Sequence, residues 1–175
     1  ADAIATFPAG PLMANEKYVL FANGVVGSGF AANPDGASTG FNLFPVGGAL
    51  EASTTSSNID VLVFHGATDA PTVDVDARVS GSAPVALIND LSYGNFTASY
   101  TSIPATLYAL DVKDQTGATT VATFVADLSS AAGAAAVVFA SGFLSPAANN
   151  NGPAFGLWVA LPDGTTFGLP AVGTA

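Results

Sequence analysis

Residues 72–79 read Thr-Val-Asp-Val-Asp-Ala-Arg-Val, with an apolar side chain at every second position. Successive side chains of a β-strand point to opposite faces, so this stretch predicts a strand with one face in a core and the other in water. Short runs rich in Val, Phe, Leu and Thr recur along the chain between turn signals, whereas helical periodicity is scarce. This pattern is typical of an all-β sandwich or barrel.

The pattern predicts nine strands separated by turns. The predicted strands are residues 18–26, 41–46, 59–65, 72–79, 84–89, 105–113, 119–127, 135–143 and 154–161. Turns at residues 33–36 and 162–164 combine a Pro that fixes φ with a Gly that accepts positive φ. Two runs, 60–64 and 136–140, are apolar on both faces, which favours central strands or strands covered by a neighbouring subunit.

Composition excludes several classes of function. The chain has 175 residues with 13 acidic and 3 basic side chains, a formal charge of −10, one His and no Cys. Three basic residues cannot neutralise the phosphates that nucleic-acid binding requires, so no nucleic-acid partner is expected. Without Cys there is neither a disulfide nor a thiolate nucleophile. The length permits one large domain, or one domain plus a fragment.

Only 9% of the residues are charged, compared with about 25% in ordinary soluble domains. Interruptions by Gly, Pro, Asn, Asp and Ser leave no run of about 18 apolar residues, so no transmembrane helix is expected. The surface is then either rich in small residues or buried against other subunits. The chain opens at Ala1 without an initiator Met, as after signal-peptide cleavage, which predicts a secreted, extracellular or cell-surface protein.

An internal repeat connects two parts of the chain. The first copy of the repeat begins with residues 5–7, Leu12 and residues 18–24, which match residues 122–124, Leu128 and residues 136–142 in that order. The similarity continues further along the chain, where residues 31–33 match 147–149 and residues 41–44 match 155–158. The Ala-rich stretch 129–136 has the composition of a short helix, but the first copy has Asn-Glu-Lys in that place. We therefore expect a loop that enters a strand there.

The repeat also predicts the domain organisation. Residues 1–50 match only the second half of the unit that follows, so they form a partial repeat; 51–56 form a linker, 57–170 a complete β-sandwich unit and 171–175 a tail. Half a sandwich cannot bury its own face. The partial repeat therefore packs on the complete unit as extra strands, or it fills a gap in a neighbouring molecule by strand addition.

The most distinctive segment is His65-Gly-Ala-Thr-Asp69-Ala-Pro71-Thr-Val-Asp74-Val75. It resembles the His-(Ala or Gly)-x-x-Asp-Ala-Pro-x-Val-Asp-Val signature of the bacterial secreted family catalogued as domain of unknown function 4397. Residues 87–94, 103–108 and 137–142 follow that family more loosely, and the Gly expected after Ala105 is missing. The resemblance implies an immunoglobulin-like antiparallel β-sandwich in exported or cell-surface proteins, often in tandem repeats, with no established activity.

The same segment predicts a tight structural corner made by His65, Gly66, Asp69 and Pro71. His65 ends one strand, and Pro71 begins the next, where its missing N–H costs least. We expect His65 to pair with Asp69 or a nearby carbonyl, and Asp69 to accept backbone N–H groups. A single His without a second His or Cys nearby is a poor transition-metal ligand.

The acidic residues Asp69, Asp74 and Asp76 are the alternative candidates for a ligand site. Their oxygens suit Ca²⁺, but their spacing matches no dedicated calcium loop, and a solvated acidic face is the favoured interpretation. No other metal or cofactor is expected.

No catalytic residue is predicted, and the protein is not expected to be an enzyme. Residues 36–40 match the Gly-x-Ser-x-Gly pattern of serine hydrolases, but they follow a turn and enter an apolar run without a helix. The single His belongs to the corner elsewhere, so no triad is expected.

These features predict an extracellular structural protein, a self-assembling cell-surface or filament subunit whose partner is another copy of itself. The candidate assembly residues are Tyr18, Val19, Leu20, Phe21, Phe41, Leu43 and Phe44. They would complete the sheet of the next subunit by β-strand complementation. The alternative is an adhesin-type module that binds a glycan or a surface protein. Whether that binding depends on Ca²⁺ is left open by the sequence.

Overall fold

The structure, a computed structural model, describes residues 5–8 and 10–173. Apart from one 3₁₀ helix at Pro146–Ala148, its regular elements are strands. The strands are β1 Tyr18–Asn23, β2 Asn42–Gly47, β3 Asn58–His65, β4 Val73–Arg78, β5 Val85–Leu91, β6 Thr101–Pro104, β7 Leu107–Asp114, β8 Thr120–Asp127, β9 Ala135–Ser141, β10 Gly156–Ala160 and β11 Thr166–Gly168. None of the described helical residues forms a segment long and apolar enough to cross a membrane.

Two sheets pack face to face as a β-sandwich, which confirms the predicted all-β fold. One sheet has the order β5-β4-β7-β8, and the other has the order β11-β10-β9-β3-β6. Neighbouring strands are antiparallel, except that β3 and β9 run parallel, with Leu62 opposite Val137. This parallel pair lies at the centre of the five-stranded sheet.

Alternation along the strands places the core between the two sheets. In β4, Val73, Val75 and Ala77 are buried in the core, while Asp74 and Asp76 lie half-buried on the other face. The sequence pattern of residues 72–79 is therefore reproduced in three dimensions, because a period of two separates the faces of a strand.

Strand β3 is buried on both faces. Val61 belongs to the core of the sandwich, whereas Phe64 makes aromatic contacts on the opposite face of the five-stranded sheet. The ring of Phe64 is fully buried, although no strand of the sandwich covers that face. A third layer covers it.

The third layer is the β1–β2 hairpin, which forms a separate two-stranded sheet. The Phe21 ring centroid lies 4.5 Å from that of Phe64 and 4.7 Å from that of Phe139. Phe44 lies 5.3 Å from Phe64, again measured between ring centroids. Of the two arrangements open to the partial repeat, the structure has the one in which it packs on its own chain, against the face of a sheet and not its edge.

The internal repeat extends to the pairing register. Within β1–β2, Ala22 lies opposite Leu43, and within β9–β10 their repeat equivalents Ala140 and Leu157 lie opposite each other. The two hairpins therefore have the same register. The division of the chain near residues 50 and 57 stays a prediction.

Both hairpins are also closed by the same glycine turn. Gly24 and Gly142 have φ of +106° and +81°, and a Cβ at either would lie 2.6 Å or 2.2 Å from the carbonyl oxygen of Gly40 or Ala154. Only glycine allows this backbone approach. This turn ends β1 at Asn23, three residues before the predicted end.

Two strands are missing from the sequence prediction. β6 has four residues and ends in a proline, and β11 has three residues, so neither shows a readable alternation. Residues 129–133 form turns that lead into β9, as predicted from the first copy of the repeat.

The segment predicted as a linker is tied to the sandwich by Asp60. This buried carboxylate accepts hydrogen bonds from the Ser53 hydroxyl (2.8 Å) and from the Thr54 backbone N–H (2.9 Å) and hydroxyl (3.0 Å). The chain between the hairpin and β3 is therefore held at residues 53 and 54.

Candidate functional site

The corner between β3 and β4 lies where the hairpin meets the sandwich. His65, the last residue of β3, is 1% exposed, and its Nε2 lies 2.9 Å from the Pro71 carbonyl oxygen. A carbonyl only accepts, so Nε2 carries the proton. Burial lowers the pKa of His65, against the opposing effect of the Pro71 hydrogen bond. His65 is therefore a neutral residue that hydrogen-bonds across the corner to Pro71.

Asp69 connects the corner to a distant loop. Its carboxylate accepts hydrogen bonds from the backbone N–H groups of Leu144 (2.9 Å) and Ser145 (2.8 Å) and from Asn149 Nδ2 (2.9 Å). These backbone donors come from the loop after β9 and not from the corner itself. His65 pairs with the Pro71 carbonyl and not with Asp69.

Asn33 connects the corner to the hairpin layer. The buried Asn33 side chain donates from Nδ2 to the carbonyl oxygens of Thr68 (3.0 Å) and Ala70 (2.9 Å). Its Oδ1 accepts from the backbone N–H groups of Asp35 (3.0 Å) and Ala37 (3.4 Å). All the hydrogen-bonding capacity of the amide is used to join the 33–36 turn to the corner.

Asn33 and Asn149 are equivalent positions of the internal repeat, and both end on the same corner. Asn149 is fully buried and reaches the corner through Asp69, while its Oδ1 accepts from the Ala31 N–H (2.9 Å) of the hairpin layer. The two copies of the repeat thus converge on residues 66–72.

Two further contacts strengthen this junction. Asp35 Oδ2 accepts from the Thr72 backbone N–H (2.6 Å) and hydroxyl (2.8 Å), and Asn23 Nδ2 donates to the Gly66 carbonyl oxygen (3.0 Å). Polar side chains of the hairpin layer therefore hydrogen-bond to the backbone groups of the corner and hold the two layers together there.

The structure does not assemble the three calcium candidates into a ligand set. Asp69 accepts three N–H groups, Asp74 accepts the Asp90 N–H (2.8 Å), and Asp76 Oδ2 lies 2.5 Å from Lys113 Nζ. In residues 5–8 and 10–173 no three His, Cys, Asp or Glu side chains are arranged to hold a metal ion. Each of the three carboxylates already has a protein partner.

Two of the three basic residues lie on the outer face of the four-stranded sheet. Arg78 donates from Nε (2.5 Å) and Nη2 (2.9 Å) to the Asp111 carboxylate, which also accepts from the Thr123 hydroxyl (2.7 Å). The Arg78 hydrogen bond is the main reason why the pKa of Asp111 is lowered. These cations compensate acids within the sheet, so they offer no free site for an anionic ligand.

The predicted assembly residues lie on both faces of the hairpin, except for one that directly precedes β2. Those in the strands are Tyr18, Val19, Leu20, Phe21, Leu43 and Phe44, and the one before β2 is Phe41. Phe21 and Phe44 pack on β3 and β9 of the same chain. Leu20 and Phe41 are 53% and 38% exposed. One face of the hairpin is therefore occupied and the other contains uncovered apolar side chains.

A groove of about 480 Å³ lies beside the junction, between the glycine turns of the two hairpins. Its lining includes Asn23, Thr68, Phe139, Ser141, Phe143 and Trp158. The indole of Trp158 is 44% exposed there. The groove combines an accessible aromatic ring with hydroxyl and amide groups.

Sequence reasoning missed the asparagines that bind the corner. The signal was present in the repeated Ala-Ala-Asn at 31–33 and 147–149, which aligned the two copies without indicating that both amides would be buried. No family model matches the chain, and neither a curated protein nor a solved structure gives a significant match.

Proposed function

We propose that the protein is an extracellular structural protein, a cell-surface or filament subunit whose copies join through residues 1–50. The observation that supports this is the β1–β2 hairpin itself, a separate sheet that packs on the face formed by β3 and β9. The low charged fraction and the resemblance of residues 65–75 to a secreted family support the same proposal.

The hairpin depends on the surface beneath it. A two-stranded sheet is marginally stable in water, so Phe21 and Phe44 need the aromatic surface of Phe64 and Phe139 to remain folded. That surface is the same on every copy of the chain. A hairpin released from its own sandwich would therefore find an identical acceptor on a neighbour, with the same contacts re-formed between molecules.

The joint would supply a strand pair to the next subunit as a layer packed on a sheet face, in place of the edge pairing that defines β-strand complementation. The contacts are aromatic packing and side-chain hydrogen bonds, such as those of Asn33 to the corner. Because each subunit both donates a hairpin and accepts one, the exchange is heterologous and continues into a polymer when it does not close into a ring.

An engineered disulfide tests which molecule holds the hairpin. Gly29 has a φ of +88°, which strains any side chain placed there, and a Cβ built on it lies 3.4 Å from the Asn150 side-chain carbon Cγ, where the sulfur of a cysteine at position 150 would lie. The chain has no other cysteine. We expect the double variant G29C/N150C, concentrated and then oxidised, to give a ladder of disulfide-linked oligomers on non-reducing gels and fibres by negative-stain electron microscopy.

The matched control is the double variant A22C/L43C, whose two positions face each other within the hairpin. This pair should close within one chain whether or not the hairpin is exchanged. If G29C/N150C instead gives only monomeric disulfide at every protein concentration, the hairpin stays on its own sandwich and the exchange proposal is wrong.

The second candidate is an adhesin-type module that binds a glycan, and the groove at Trp158 favours it. Exposed indole rings stack on sugars, and the nearby hydroxyl and amide groups can hydrogen-bond to sugar hydroxyls. Copies that remain monomeric in the cross-linking experiment would leave this candidate as the favoured one.

A further inference from the structure

The outer face of the hairpin, which points away from the sandwich, has the composition of a protein core. Leu20 and Ala22 of β1 lie opposite Pro45 and Leu43 of β2 on this face. Leu20 is 53% exposed, and Leu12, just before the hairpin, is 54% exposed. Exposed apolar side chains gathered on one face of a sheet mark an interaction surface.

The internal repeat identifies what these residues are. Leu12 corresponds to Leu128, which is only 7% exposed, and Leu43 corresponds to Leu157, which is 6% exposed. Both counterparts lie in the core between the two sheets. The outer face of the hairpin is therefore a second copy of the core-facing side of β9–β10, without the sheet that covers it there.

One aromatic pair of the sandwich core has an equivalent in the first copy of the repeat, with nearly the same geometry. The rings of Phe7 and Phe41 lie 5.7 Å apart at an interplanar angle of 63°. Their repeat counterparts Phe124 and Phe155 lie 5.9 Å apart at the same angle of 63°. Phe124 is buried by the sandwich, whereas Phe41 is left exposed.

In the described part of the chain, one edge of β1 also lacks the neighbouring strand that its repeat equivalent, β9, has. In the complete unit, β9 pairs with β10 on one side and, in parallel, with β3 on the other. The equivalent strand β1 pairs only with β2 among the described strands. Its other edge corresponds to the edge of β9 that β3 occupies.

We propose that the outer face and free edge of the hairpin bind a β-sheet half-unit patterned like residues 57–117. A strand like β3 would pair in parallel with β1, and an apolar sheet like that of β4, β5 and β7 would cover Leu12, Leu20 and Phe41. The proposed occupant is a protein segment with the strand pattern of residues 57–117, other than residues 57–117 of this chain themselves. Residues 57–117 of a second copy are unsuitable, because they already cover their own β9–β10.

This inference is independent of the exchange proposal, because the two concern opposite faces of the hairpin. Each can fail without the other: exchange is read from disulfide connectivity at position 29, and half-unit binding from the accessibility of position 20.

The test supplies the missing half-unit by fusing a further copy of residues 57–117 directly before Ala1 of the full chain. This join continues the repeat, because residues 5–7 correspond to 122–124. Leu20→Cys is introduced as the only cysteine, and its reaction with a thiol reagent is timed. We expect labelling at least 10-fold slower in the fusion than in the unfused chain.

Two controls accompany this measurement. Val85→Cys in the original unit, 63% exposed on β5, should label at the same rate with and without the fusion. A fusion in which the added copy bears Leu110→Asp and Val112→Asp should leave Leu20→Cys reactive, because these positions face the core.

Equal labelling of Leu20→Cys in the fused and unfused chains would overturn the proposal. Labelling of the unfused chain that slows as dimers form would also overturn it, in favour of a second copy as occupant. A measurement that does not need the fusion to fold adds a synthetic peptide of residues 58–65 to the unfused chain. Slower amide hydrogen exchange in β1 is expected, and unchanged exchange counts against the strand pairing.

Discussion

Asp60 shows how burial and hydrogen bonding compete at a single residue. Burial raises the pKa of this carboxyl, but hydrogen bonds from Ser102, Thr54 and Ser53 outweigh it and lower the pKa from 3.8 to about 2. The folded state thus favours the carboxylate more than the unfolded state does. Its stabilising effect is present above about pH 4 and disappears as the pH falls towards about 2.

We expect Asp60→Asn to lower the free energy of unfolding by about 2 kcal/mol at pH 7, with the difference from wild type shrinking between pH 4 and pH 2. Urea unfolding across that pH range measures it. Asp163→Asn, which removes an exposed turn carboxylate that accepts the Thr165 N–H (2.8 Å), is the control and should have little effect. A pH-independent difference for Asp60→Asn would contradict this account.

At the scale of elements, the hairpin and the sandwich are joined by polar contacts that are specific to the 33–36 turn. Asn33→Ala leaves the carbonyls of Thr68 and Ala70 without their donors and frees two N–H groups of the turn. We expect a loss of about 2–3 kcal/mol, confined mainly to the hairpin layer. Native-state hydrogen exchange should show β1 and β2 amides opening more often, while β3 and β9 amides change less.

Asn42→Ala is the matched control, because among the described residues the exposed Asn42 side chain hydrogen-bonds only to the N–H of its own neighbour, Leu43. It should change stability by less than about 0.5 kcal/mol. If both variants lower protection uniformly across all strands, the hairpin and the sandwich unfold as one unit and the exchange mechanism loses its basis.

At the scale of the whole molecule, a net charge of −10 opposes association of identical copies. Raising the ionic strength from 0.01 M to 0.15 M shortens the Debye length from about 30 Å to about 8 Å. If copies assemble through the apolar hairpin, we expect association to begin at a several-fold lower protein concentration in the higher salt. Sedimentation velocity at both salt concentrations measures this.

Salt dependence also separates the two candidate functions. Binding of a neutral glycan in the groove at Trp158 should be nearly independent of ionic strength, because it relies on stacking and hydrogen bonds. Monomers at both ionic strengths, together with salt-independent glycan binding that Trp158→Ala abolishes, would favour the adhesin.

Periodicity and local turn chemistry determined much of this protein. The alternation at residues 72–79 predicts the strand and its faces, and the repeat predicts a loop that leads into the strand at residue 135. These features depend on residues that are close together in the sequence, so the sequence is enough to predict them. Strands β6 and β11 escape prediction because so few residues give no readable period.

The sequence by itself determined the all-β fold and the similarity between the two copies of the repeat. Only the tertiary structure decided that the first hairpin lies on the face of β3 and β9, that Asn33 and Asn149 meet at one corner, and that Asp69 binds a loop some 75 residues away. Alternation specifies which side of a strand is apolar. Which surface that side covers depends on contacts between residues far apart in the chain, and no local pattern records them.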